Sequence, residues 1–185
     1  TEGVLKGLLE QAIFKREDTI PFSDVYGHWV YDDLLQLVSA YNLTSIQGGL
    51  TFRPDDIITM DEGIKLILDV LEYKYGDNYF AEAYKAGITK DVKNIDFITR
   101  QEAISMLARL YEIKTGQQAV GHAGLGQYRD WDSVSTVYLP AVRFAAEAGI
   151  LVGKSSNTLA PSEKITRAEM AAMLRRLMKY IGEIG

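Results

Sequence analysis

Ile165-Thr166-Arg167-Ala168-Glu169-Met170-Ala171-Ala172-Met173-Leu174 is the stretch on which the reading of this chain turns. Thr166 followed three residues later by Glu169 is the pattern of a capping box. The Thr hydroxyl accepts the Glu amide, and the Glu carboxylate accepts the Thr amide. Such a cap stabilises a helix start by about 1 kcal/mol. Behind it, Met170, Met173, Leu174, Leu177, Met178 and Ile181 recur at i, i+3, i+4 spacing, so an amphipathic helix begins here.

The same string occurs at Ile58-Thr59-Met60-Asp61-Glu62 and at Ile98-Thr99-Arg100-Gln101-Glu102. Ile64, Ile67, Leu68 and Leu71 follow the first; Ala103, Ile104, Met106, Leu107 and Leu110 follow the second. Repetition of one helix start predicts a repeat protein. Thr59, Glu62, Thr99, Glu102, Thr166 and Glu169 are expected to be structural caps.

A second helix is expected before each string. Residues 137–148 carry Pro140 in the first turn and stop at Gly149; residues 76–86 stop at Gly87. The first unit has its helix from about His28 to Tyr41, with Asn42 in the stop position. Loops join the helices through Phe52-Arg53-Pro54 and Leu159-Ala160-Pro161, whereas the second unit has a short loop, 89–97, without Pro. Units one and three open on Phe22-Ser23-Asp24 and Tyr128-Arg129-Asp130, an opening that unit two lacks. Residues 3–17 read as one more amphipathic helix, and 116–127, rich in Gly and Gln, as a linker. No segment reads as a strand. The fold class is therefore all-α, divided as 1–19, 20–73, 74–115, 116–127 and 128–185 within one compact unit.

Asp24 with Trp29, Gly48/Gly49, Phe52-Arg53-Pro54 and the Ile-Thr-x-x-Glu start resemble the S-layer homology motif. The third unit is closer still, through Ala145-Ala146-Glu147-Ala148-Gly149-Ile150, Leu159-Ala160-Pro161 and Ile165 to Ala171. The resemblance spans about residues 20–181 and is partial in unit two. It implies three helix–loop–helix motifs in a pseudo-threefold arrangement around a central three-helix bundle. It also implies grooves that bind secondary cell-wall polymer through pyruvate-ketal groups, and a non-catalytic anchor for a larger surface protein outside a bacterial cell. Arg100 and Arg167, with Asp24 and Trp29, correspond to groove residues; Asp130 and Trp131 are the weaker counterparts in unit three. Met60 replaces the Arg in unit one, and Tyr75 and Val137 stand near the Trp position elsewhere, so fewer than three grooves are expected to work, with the Arg167 end the better candidate.

The residue chemistry leaves alternatives open. Arg100 and Arg167 occupy first helical positions, where a cation opposes the helix dipole by about 0.3–1 kcal/mol. Either a nearby acid compensates, or helix amides and guanidinium together hold a carboxylate. Trp29 reads as core or as a platform under a sugar ring. Asp24 and Asp130 read as turn makers or as ligands for sugar hydroxyls. Arg53 reads as a solvated surface residue.

Composition removes other classes. The net charge of −5 and absence of a basic stripe argue against nucleic acid. With no Cys there is no thiolate nucleophile or Cys-ligated zinc, and His28 and His122 lack metal-ligand spacing. No cofactor or metal is expected. No run of about 18 apolar residues exists to span a membrane. Asp130-Trp131-Asp132 lacks the later residues of a calcium loop, and Gly121–Gly126 lacks the Lys and Ser/Thr of a phosphate loop. The chain opens on Thr1 without a leader, which suits a segment of a longer protein. The expected partner is wall polysaccharide or a peptidoglycan-linked polymer; the alternative is a degenerate unit with a structural or protein–protein role in a surface layer.

Overall fold

A computed structural model describes residues 20–46, 49–89, 97–151 and 154–185. The helix expected at 3–17 lies outside them. Among the described residues there are six α-helices: α1 (Tyr31–Ala40), α2 (Met60–Val70), α3 (Tyr79–Lys85), α4 (Arg100–Thr115), α5 (Leu139–Glu147) and α6 (Arg167–Tyr180). No strand is present among these residues, only isolated bridges. The fold is all-α.

The helices that follow the Thr-x-x-Glu strings, α2, α4 and α6, are the most deeply buried. Ile64, Ile67, Leu107, Leu110, Leu174 and Leu177 have at most 1% of their surface exposed. The helices that precede the strings pack around them: α1 on α6, α5 on α4 and α3 on α2, while α4 touches both α2 and α6. Arg175 Nε donates to Asp33 Oδ1 at 2.6 Å and ties α6 to α1.

The three helix starts are joined by backbone. The Ile58 amide donates to Ile165 O (3.0 Å), the Ile165 amide to Ile98 O (3.2 Å), and the Ile98 amide to Ile58 O (3.5 Å). These bonds close a ring, so three peptide groups buried beside apolar side chains are paired without a sheet. Capping boxes start α2, α4 and α6. At α4 the Thr99 amide and hydroxyl both donate to Glu102 Oε2, at 2.7 and 2.6 Å.

The helix ends depart from the sequence reading in places. Gly87 (φ 75°) and Gly149 (φ 69°) follow α3 and α5 in the left-handed region, as their position predicts. The first helix is shorter than expected: it starts at Tyr31, and Tyr41 leaves it in an extended conformation. Asn42 is not left-handed; among the described residues the non-glycine positions with positive φ are Arg53, Glu72 and Ala160.

The stretch read as a linker is packed, not free. Ala119 and Leu125 are buried, the Ala119 amide donates to Glu112 Oε1, and the His122 amide donates to Glu147 Oε2 at 2.8 Å. At Gly121 the chain presses on α5 so closely that a Cβ would stand 2.1 Å from the Phe144 nitrogen. The glycine there serves backbone-to-backbone contact, which composition alone cannot distinguish from flexibility.

Candidate functional site

Arg100 and Arg167 are buried, with 5% and 6% of their surface exposed. The amides beside them are already committed. Arg100 and Gln101 donate to Glu163 O and Pro161 O, at 2.8 and 3.0 Å; Arg167 and Ala168 donate to Asp56 O and Pro54 O, at 2.9 and 3.0 Å. The Pro loop of one unit thus closes the helix start of another, and the helix N-termini do not offer the amide cradle that their position suggests.

Each guanidinium is matched to the capping Glu of a different unit. Arg100 Nη1 lies 3.0 Å from Glu169 Oε1, and Arg167 Nη1 lies 2.5 Å from Glu62 Oε1. Arg167 also donates through Nε to Phe52 O at 2.6 Å and lies 5.0 Å from the centre of the Phe52 ring. Burial pulls the Arg167 pKa below its usual value, and Glu62 opposes that pull. Burial pushes the Glu62 carboxyl up, but the Thr59 amide and the Arg167 charge outweigh it and hold Glu62 below the usual carboxylate range. An acid from a neighbouring repeat therefore compensates the cation at the helix start.

Asp24 and Asp130 do the same work at two places. Asp24 accepts the amides of Phe52 (2.8 Å) and Arg53 (2.7 Å). Asp130 accepts those of Leu159 and Ala160, both at 2.8 Å. Arg53 and Ala160 have φ of 57° and 55°, a region that costs about 1–2 kcal/mol for a residue with a Cβ. Each Asp therefore clamps the strained turn before Pro54 or Pro161. Partial burial raises both carboxyl pKa values, but the backbone amides outweigh it and hold them below the usual range. Both oxygens of each carboxylate are engaged by backbone amides of the Pro loop. Arg53 is less idle than a solvated residue: it pairs with Asp56 (3.3 Å) and Glu62 (2.9 Å).

The two tryptophans are not core. Trp29 is 58% exposed and Trp131 43%. Trp29 overhangs a cleft of about 190 Å³ lined also by Arg100, Lys154, Glu169, Ala172, Met173 and Arg176. The cleft brings together Trp29 from just before α1, Arg100 from the start of α4, Lys154 from the loop before α6, and four residues of α6. It unites Trp29 with Arg100; Arg167 and Trp131 are not among its lining residues. Lys154 reaches Glu163 at 3.1 Å and Glu169 at 3.8 Å.

Sequence reading missed Lys154 and Arg176. The signal for Arg176 was available: 169, 172, 173 and 176 share one face of α6 at i, i+3, i+4, i+7. Lys154 carried no such signal, because it stands in the loop between α5 and α6. Among the described residues no group of three or more His, Cys, Asp or Glu side chains is placed to hold a metal ion. No described helix is long and apolar enough to cross a membrane.

Comparison with known proteins bears on this arrangement at one segment. Residues 127–171 match the S-layer homology domain. That S-layer homology segment contains the Asp130 clamp, α5, the Pro161 loop and the capped start of α6, including Arg167 and Glu169. The S-layer homology domain is a cell-wall anchoring module. Over 180 residues the chain is 30% identical to "Exoglucanase XynX" of Acetivibrio thermocellus, covering 87% of this chain and 16% of that protein. Over 194 aligned positions it is 30% identical to "Amylopullulanase" of Thermoanaerobacterium thermosulfurigenes, covering 95% of this chain and 10% of that protein. The chain spans only these small shares of both relatives.

Proposed function

We propose that this chain is a non-catalytic module that holds a larger extracellular protein on a bacterial cell wall by binding an acidic wall polysaccharide in the Trp29 cleft. The observation that carries this reading is an exposed Trp over a cleft whose lining holds three cations and one acid, assembled from α4, α6 and the segments before α1 and α6. An aromatic face suits the apolar side of a sugar ring. Guanidinium groups suit a carboxylate, such as that of a pyruvate ketal. The S-layer homology match at residues 127–171 supports the same assignment.

In this reading the closed ring of Ile58, Ile98 and Ile165 is the hub of a pseudo-threefold arrangement, and α2, α4 and α6 form its central bundle. Of the residues singled out from sequence, Trp29 and Arg100 belong to the binding cleft. Trp131 is a sugar platform outside it. Asp24, Asp130 and Arg167 contribute by building the groove walls.

The test is retention of the chain on purified, pelleted wall polymer, before and after its acidic ketals are removed by mild acid. Retention that depends on the ketals is expected; equal retention on both, or on neither, overturns the reading. A second role, docking a protein in a surface layer, is favoured by an apolar groove of about 610 Å³ along Leu68, Leu71, Ile88 and Ile113, edged by exposed Tyr73. It is the reading left if no wall fraction retains the chain.

A further inference from the structure

Glu169, Ala172, Met173 and Arg176 form the floor of the Trp29 cleft. They run along one face of α6, so Glu169 and Arg176 lie two helical turns apart, about 10 Å. The two ends differ in charge. At the Glu169 end the carboxylate already sits between Arg100 at 3.0 Å and Lys154 at 3.8 Å. A second carboxylate there meets like-charge repulsion and finds the guanidinium of Arg100 buried and occupied.

The other end is open to an anion. Arg176 is half-buried, and among the described residues it makes no ion pair, whereas its neighbour Arg175 is held by Asp33. Between the ends, Ala172 and Met173 are buried and give an apolar floor beneath exposed Trp29. A half-desolvated cation beside an apolar floor and an aromatic wall suits a sugar that carries a carboxylate.

Resting on the proposed wall-binding role, we infer that Arg176 is the residue that receives the anionic group of the ligand, while Arg100 is a positioning residue that fixes Glu169. The sugar ring then lies against Trp29 above Ala172, with its carboxylate directed toward the C-terminal half of α6. Lys154 raises the local positive potential without touching the bound carboxylate.

The experiment is calorimetric titration of the full chain with a methyl hexoside carrying a pyruvate ketal, and with the methyl ester of the same compound as a neutral control. Retention on whole polymer is measured in parallel. The native chain is expected to bind the acid at least tenfold more tightly than the ester. Arg176→Gln, a change at a half-buried position, abolishes that difference, and Lys154→Gln reduces it by no more than about threefold. Trp29→Phe weakens both compounds alike. Undiminished acid binding by Arg176→Gln overturns the inference. So does a native chain that is retained on polymer through its ketals yet does not distinguish acid from ester; in that outcome the wall-binding role stands. A native chain that neither distinguishes the two compounds nor is retained on polymer removes both. Circular dichroism and thermal melting of each variant separate lost binding from lost folding.

Discussion

Asp24 Oδ2 accepts a 2.7 Å hydrogen bond from the amide of Arg53, a residue 29 positions further on whose φ is 57°. Asp130 holds the amide of Ala160, 30 positions on, in the same way and at a φ of 55°. A carboxylate and two amides stabilise a turn that a residue with a Cβ avoids by itself. The Pro loop can therefore keep the shape that closes the next helix start.

Replacing Asp24 or Asp130 by Ala removes two charge-assisted bonds and releases the strained turn. Each change is expected to cost about 1–3 kcal/mol, read as a lower urea midpoint with an unchanged slope. Wild-type stability in both variants would show that the turns hold without their clamps.

The same groups set the acid limb of stability. Asp24, Asp130 and Glu62 all have folded pKa values below the ordinary carboxylate range. A depressed folded pKa means that the stabilisation is complete above the unfolded pKa and is lost as pH falls through the folded one. Urea midpoints are expected to hold between neutral pH and the ordinary carboxylate range, then fall as pH drops toward about 3. The double variant Asp24→Asn, Asp130→Asn starts lower and declines less steeply; a parallel decline would count against the clamps as its source.

Arg167 is expected to behave as a structural residue. Its removal leaves Glu62 partly buried with the pairing from α6 gone, so Arg167→Ala should destabilise by about 3–5 kcal/mol. Arg167→Lys keeps the charge but loses the forked contact to Phe52 O and Glu62. It should melt at a lower temperature yet, while folded, bind the acidic sugar within about twofold of the native chain. A folded Arg167→Lys that has lost binding would place Arg167 in the ligand site.

Gly121 and Gly124 separate packing from flexibility in one short stretch. A Cβ at Gly121 meets the Phe144 backbone at 2.1 Å, whereas one at Gly124 meets nothing within 4 Å. Gly121→Ala is expected to cost more than about 2 kcal/mol, because backbone must move, and Gly124→Ala to stay within about 0.5 kcal/mol. Thermal melting of the two variants side by side decides it.

Local information was enough for the helix starts. Thr166, Glu169 and the apolar spacing behind them carry their meaning within one turn, so the capped helices at Met60, Arg100 and Arg167 were legible wherever the string occurred. Glycine stops at Gly87 and Gly149 were legible for the same reason, since φ preference is a property of the residue. Asn42 was misread because its tolerance of positive φ permits a left-handed stop without requiring one.

The sequence by itself determined an all-α chain of repeated capped helices and pointed to exposed-or-core Trp29 and the paired Arg positions. Tertiary structure decided everything that depends on partners from different repeats. Only the fold shows that Glu169 satisfies Arg100, that Glu62 satisfies Arg167, and that Trp29 overhangs the first pair rather than the second. The physical reason is range. Capping and amphipathic periodicity act over three or four residues, whereas charge compensation and the burial of a guanidinium depend on which side chains the packed helices bring within about 4 Å.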